Sequence, residues 1–323
     1  MGYVCLGCAG TEGAAVRRYR TNTPHGRELF GRPDLYECAR CGMVQVEPGP
    51  SADALDAYYR ADYRKHKLYG SDVADTSRFP LDNLFYYNRG RSIAELVAPH
   101  VTATAPRVLD IGAGYGHILH AFGERFPDAE RQAIEYSDVC VRHLEGIGVE
   151  VENRAVEEVL PTMEGRFDVV VLSHVLEHLR EPRTVLELVR RSLAPGGVFY
   201  VEVPNIPRES LLRYPDNPWA PRWDEPHITF FSRDTLGRLM GAAGFDEVFC
   251  DTGGPHYRYI PGWRFRMPPA KATLLNLLPR SVFHFLRQQR FTSGMRVQTR
   301  EDSFYEYGGF RIWIRSVWRR GEA

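Results

Sequence analysis

From about residue 83 to residue 250, short continuous apolar runs alternate with stretches whose apolar positions recur at helical spacing. Runs at 107–111, 131–135, 149–151, 167–173, 198–203 and 245–250 predict six strands. The run Phe167-Asp168-Val169-Val170-Val171-Leu172-Ser173 is almost uninterrupted, as a parallel strand covered on both faces must be. Helices are predicted at 83–98, directly after the glycines at 112–116, at 182–193 and at 232–243. The last two stop at Pro195-Gly196-Gly197 and at Gly244, since proline and glycine end helices. A further run at 309–314 predicts a seventh strand, paired antiparallel at the sheet edge. This alternation specifies an α/β, doubly wound domain with a seven-stranded sheet.

Two inserts, 204–231 and 253–307, break the rhythm. They are expected as lids over the C-terminal strand ends, where open α/β sheets bind ligands. Their Trp219, Trp223 and Trp263 argue against disorder. Upstream, Glu47-Pro48-Gly49-Pro50 breaks the chain, and Ser51 is placed to cap a helix carrying Leu55, Tyr58 and Tyr59. The pattern divides the chain into a module at 1–50, a tyrosine-rich helical connector at 51–98, and the α/β domain at 99–323.

Size and composition add bounds. The 323 residues accommodate one α/β domain and a smaller module. No apolar run approaches a membrane span, and no basic segment followed by an apolar one opens the chain, so a cytoplasmic location is expected. The net charge is zero but uneven, with 13 Lys/Arg against four Asp/Glu from Tyr257 to Ala323. That basic tail suits phosphate, an anionic surface or the acidic body of the same chain. Leucines and phenylalanines mixed with Lys271, Arg280, Arg287 and Arg290 make 271–290 amphipathic, which fits a lid, a dimer contact or a peripheral membrane contact. The pattern fits either a monomer or a homodimer.

The cysteines are more specific. Cys5-x-x-Cys8 and Cys38-x-x-Cys41 stand 29 residues apart, leaving only Cys140 and Cys250. In a reducing compartment two such pairs read as a four-thiolate zinc site, a zinc ribbon, with a redox dithiol or chance pairing as the alternatives. Gly42 eases the tight knuckle that turns backbone N–H groups toward thiolates. A site filled by four protein ligands has no room for substrate, so zinc here is expected to be structural.

The chemistry-bearing stretch is Val108-Leu109-Asp110-Ile111-Gly112-Ala113-Gly114-Tyr115-Gly116. A buried strand runs through a glycine turn into a helix, which brings backbone close to a ligand and a helix N-terminus to its electron-rich groups. The spacing G-x-G-x-G departs from the dinucleotide fingerprint G-x-G-x-x-G. Alone, the turn also fits another nucleotide-type ligand or a plain tight turn. Glu135, 19 residues past Gly116, ends the second strand, where an acid can accept from ribose hydroxyls.

Together with Leu172-Ser173-His174-Val175-Leu176-Glu177-His178-Leu179, Pro195-Gly196-Gly197, Pro226-His227-Ile228-Thr229-Phe230-Phe231 and Ala243-Gly244-Phe245, this turn resembles the class I S-adenosylmethionine (SAM)-dependent methyltransferases of the ubiquinone type. The resemblance spans about residues 105–250 and implies a Rossmann-like methyltransferase sheet. It implies that Asp110, Gly112, Ala113, Gly114, Gly116, Glu135 and Tyr136 bind SAM, that Ala155 and Val156 flank adenine, and that Ser173 and His174 line the methionine end. Many relatives carry an acid where this chain has Ala155-Val156, so adenine is expected to be recognised by backbone groups.

The implied reaction is displacement at an activated methyl, in which the protein supplies alignment and water exclusion. A hydroxyl acceptor would need a base. His227 is the first candidate, with His174 and His178 beside it, whereas His117 reads as a helix-surface or packing residue. Tyr58, Tyr59, Tyr63 and Tyr87 are candidates to cover the cofactor or acceptor, although such spacing also serves packing. The expected activity is methyl transfer to a small molecule such as a sugar, polysaccharide or secondary metabolite, with oxygen favoured as acceptor. An RNA methyltransferase is the main alternative and a catalytically silent SAM-binding module the second. Residues 1–50 carry six Lys/Arg and five Asp/Glu, a poor match for a phosphate backbone.

Overall fold

The computed structural model of the protein describes residues 2–19, 28–59, 77–206, 227–253 and 313–321. The readings for 207–226, 254–307 and 309–312, including Trp219, Trp223, Trp263 and the amphipathic stretch 271–290, lie outside the described residues, as does that for Tyr63.

Two sheets organise the molecule. The smaller contains β1 (Gly13–Arg18), β2 (Asp34–Cys38) and β3 (Val44–Glu47). Ser51 caps α1 (Ala52–Ala57) by accepting from the backbone N–H of Ala54, and α2 (Leu84–Val97) begins at Asn83, which caps it the same way. The larger fold then runs β4 (Arg107–Ile111), α3 (His117–Arg125), β5 (Glu130–Ile134), α4 (Asp138–Gly146), β6 (Glu150–Glu152), α5 (Val156–Val159), β7 (Phe167–Ser173), α6 (Pro182–Ser192) and β8 (Leu193–Pro204). It continues with β9 (Thr229–Phe230), α7 (Arg233–Ala242), β10 (Phe245–Gly253) and β11 (Trp313–Arg320).

The seven-stranded sheet has the order β10-β11-β8-β7-β4-β5-β6. Strands β4 to β8 pair in parallel, and β11 is antiparallel to both neighbours. The expected edge position of the last strand is thus corrected. The strand begins at Trp313 and enters between β8 and β10, because Ile314, Val317 and Trp318 are buried on both faces of the sheet. A second correction concerns Pro195-Gly196-Gly197, expected as the helix stop before a strand at 198–203: the helix ends at Ser192, and these residues lie in the irregular start of β8.

Alternation along β7 and β8 sorts their side chains onto opposite faces, as strand geometry requires. Val170, Leu172, Phe199 and Val201 pack toward α5, α6 and α7. Val169, Val171, Val198 and Tyr200 pack toward α2, α3 and α4. Each fully buried Val, Leu or Phe contributes about 1.5–3 kcal/mol, so two covered faces hold the sheet rigid beneath its C-terminal rim. No described helix is long and apolar enough to cross a membrane.

The small sheet has the order β1-β2-β3-β9. Its fourth strand comes from the end of the expected insert 204–231, which therefore does not serve wholly as a lid. Val44 pairs Phe230 and Gln45 pairs Thr229. Leu35, Val44, Val46 and Leu55 join Ile206, Ile228 and Phe230 in a third core that seals the N-terminal module to the α/β domain.

Candidate active site

In the N-terminal module the four cysteines come together from one chain. Sγ of Cys5 lies 3.5 Å from Sγ of Cys41, and Sγ of Cys8 lies 3.5 Å from Sγ of Cys38. A disulfide would be near 2.05 Å, whereas thiolates around a zinc at about 2.3 Å stand about 3.8 Å apart, so the set matches the tetrahedron. Backbone N–H groups of Gly7 and Cys8 point at Cys5, and those of Arg40 and Cys41 at Cys38. Both pairs are therefore knuckles that stabilise negative sulfur. Arg238 of α7 donates to the Cys41 carbonyl at 2.8 Å, tying the knuckle to the α/β domain.

At the end of β4, Gly112, Gly114 and Gly116 all take left-handed backbone angles. A Cβ at Gly112 would sit 2.6 Å from Val175 Cγ2, and one at Gly116 2.6 Å from Leu144 Cδ2, so the turn admits no side chain there. Glu135 Oε2 accepts from the Gly114 N–H at 2.7 Å and its Oε1 from the Ser137 N–H at 2.8 Å. Each oxygen keeps a further lone pair. Asp110 is buried, and its Oδ2 has no partner. Burial pushes its carboxyl up to about 8, with Glu135 adding to the effect and Arg89 opposing it. An orphaned buried acid beside a glycine cradle is what a ligand bearing donors and positive charge would complete, so these residues fit SAM. Ala113 and Tyr136 are half-buried at this rim. Ala155 precedes α5, and the Val156 side chain is buried in the core.

β7 delivers Ser173 and His174 to the same rim. His174 has φ 55, an uncommon angle for a non-glycine residue and one that clusters at functional sites. Its Nδ1 lies 3.2 Å from Glu177 Oε1 and its Nε2 3.3 Å from Glu202 Oε1. Burial and the Arg89 charge oppose protonation, but the two carboxylates outweigh them and raise its pKa. His178 lies 3.9 Å from Glu177 Oε1, and its ring centroid is 4.8 Å from that of His227. Tyr59 meets the His178 ring edge-on. Tyr87 turns away and donates to Glu124 on α3, which removes it from the cover assigned to it. His117 is buried against Asp82 and Phe79, a packing residue and not a surface one.

Sequence reasoning missed the charged network underneath. Glu202, fully buried on β8, accepts from Arg89 Nε at 2.7 Å and from Tyr200 Oη at 2.8 Å, and meets Arg315 Nε at 3.1 Å. Arg89 also donates to Ser173 Oγ and lies over the Trp313 ring. Arg315 donates to Ser92. Burial would raise the Glu202 carboxyl, but Arg89, His174 and Arg315 hold it well below the usual range. The available signal was one acid inside the apolar run Val198–Val203.

Fold and rim together define a methyltransferase. A family model described as a methyltransferase domain matches residues 83–248, and the chain belongs to that family, as a class I SAM-dependent methyltransferase. It is 27% identical over 194 residues to a trans-aconitate 2-methyltransferase of Methylobacterium radiotolerans, covering 58% of this chain and 73% of that protein. It is 32% identical over 121 residues to a ubiquinone biosynthesis O-methyltransferase of Azotobacter vinelandii, covering 36% of this chain and 52% of the relative. The chain thus spans about half the length of the ubiquinone enzyme. A solved 1,6-didemethyltoxoflavin-N1-methyltransferase of Burkholderia thailandensis, with its substrate and S-adenosylhomocysteine bound, shares the fold at TM-score 0.51 and 14% identity, covering 95% of this chain and 100% of that one.

Proposed function

We propose that the protein methylates an oxygen of a small-molecule acceptor. The observation that carries this reading is the Asp110–Gly116 cradle placed against Val175, beside the cluster of His174, Glu177, His178 and His227. SAM, when bound, supplies an electrophilic methyl on a positively charged sulfur. Asp110, the glycine turn and Glu135 would hold it, and the backbone at Ala155-Val156 would meet its adenine. His174, whose two ring nitrogens face Glu177 and Glu202, acts as a hydrogen-bond donor, not as a base. The acceptor's hydroxyl proton is then removed at the Glu177–His178–His227 cluster. The names of the relatives support a small acceptor, and one specifies O-methylation.

We also assign a structural zinc ion to the four cysteines, which supports a reducing, cytoplasmic setting. The near-neutral ribbon weighs against an RNA acceptor. Incubating the purified protein with methyl-labelled SAM and fractionated extract of its own organism tests the reading. Label in a small soluble product is expected. Label only in RNA would overturn it, and retained SAM without any transfer would favour a silent binding module.

A further inference from the structure

Besides the cysteines, the described residues contain one more set able to hold a metal ion: Glu177, His178 and His227, all buried, with ligand atoms within 4.8 Å of one another. We propose that this set is a second, open metal site for a first-row divalent cation such as zinc, cobalt or manganese, at the acceptor side of the rim. The proposal deepens the reading above, which assigns proton removal to the same cluster.

Three features argue for a built site. First, Glu177 is 1% exposed, its Oε1 is taken by His174, and its Oε2 has no partner. A buried carboxylate oxygen without a donor is costly, and a cation would satisfy it. Second, backbone bonds fix the approach of the ligands. The Ile228 N–H donates to the Glu177 carbonyl at 2.8 Å, and the Val46 N–H of the ribbon strand β3 donates to the Ile228 carbonyl at 2.8 Å. The ribbon thereby pins the segment that carries His227 against the turn that carries Glu177 and His178. Third, the donor types select the ion. Two imidazoles and one carboxylate suit borderline first-row cations, whereas magnesium and calcium prefer oxygen alone.

Three protein ligands leave coordination positions open, the arrangement of catalytic and not of structural sites. In a tetrahedral set at about 2.1 Å, ligand atoms stand about 3.4 Å apart, so binding draws these side chains inward by roughly an ångström. An acceptor oxygen in an open position would have its hydroxyl pKa lowered. Its proton then leaves to water, the oxygen–methyl bond forms, and the methyl–sulfur bond breaks to leave a neutral thioether.

The test is metal stoichiometry of the full chain, dialysed against cobalt(II) and measured by elemental analysis and visible absorption. Wild type should hold two equivalents, one with thiolate charge-transfer absorption and one without. His227→Ala and Glu177→Gln should each hold one, with the thiolate absorption intact as internal proof of folding. A single equivalent in wild type at saturating cobalt, or two in folded His227→Ala, would overturn the proposal. Neither result depends on methyl transfer. A protein that labels a small molecule yet binds one cobalt keeps the methyltransferase reading and loses this one.

Discussion

Two buried carboxylates, Asp110 at the end of β4 and Glu202 on β8, meet the interior in opposite ways. Glu202 is answered within the chain, by Arg89, Arg315, Tyr200 and His174, and its charge is held ionised. Asp110 keeps an oxygen without a partner, and burial raises its pKa to about 8. A structural charge is paired by the protein itself; Asp110 is left open at the glycine turn, where the proposed reading places a ligand. The contrast separates what holds the rim together from what the rim binds.

The largest effect should come from breaking the paired acid. Glu202→Ala strands two buried guanidinium groups and is expected to cost about 3–5 kcal/mol by denaturant unfolding. A loss below about 1 kcal/mol would dissolve the contrast. Asp110→Asn should do the reverse. It removes a buried unpaired charge and raises the melting temperature of the ligand-free protein at pH 8, while weakening SAM at least about tenfold by calorimetry, or about 1.4 kcal/mol.

The two acids also predict opposite pH slopes. The folded pKa of Asp110 lies above its unfolded value near 3.9, so its contribution is complete below that value and is lost as pH rises toward about 8. The folded pKa of Glu202 is depressed, so its contribution is present above about 4.3 and is lost as pH falls below it. The melting-temperature increment from SAM should therefore grow from pH 5 to pH 8 in wild type and stay flat in Asp110→Asn. An equal increment across that range in wild type would refute the assignment. The smallest effect is Tyr200→Phe, which removes one donor to Glu202 and should cost about 1 kcal/mol.

Much of the fold was legible from local pattern. Five parallel strands, the helices between them and the capping residue Ser51 follow from spacing over a few residues. The glycine turn, Glu135 and the cysteine pairs were legible for the same reason, since each motif is short and its chemistry narrow. The exchange of β11 into the sheet interior was not, because its partners β8 and β10 lie far away in sequence and strand order is decided by burial. Nor was the ionic network, whose members Arg89, Glu202 and Arg315 sit on a helix and two strands with no shared motif.

The sequence by itself determined the elements, the glycine turn and the four-thiol set, because periodicity, glycine conformational freedom and ligand spacing act between near neighbours. Only the tertiary structure decided that β9 would bind the ribbon to the α/β domain and bring His227 to Glu177 and His178. It also decided that one buried acid would be paired and another left open. Those outcomes depend on which distant surfaces exclude water together, a quantity that no local stretch of chain contains.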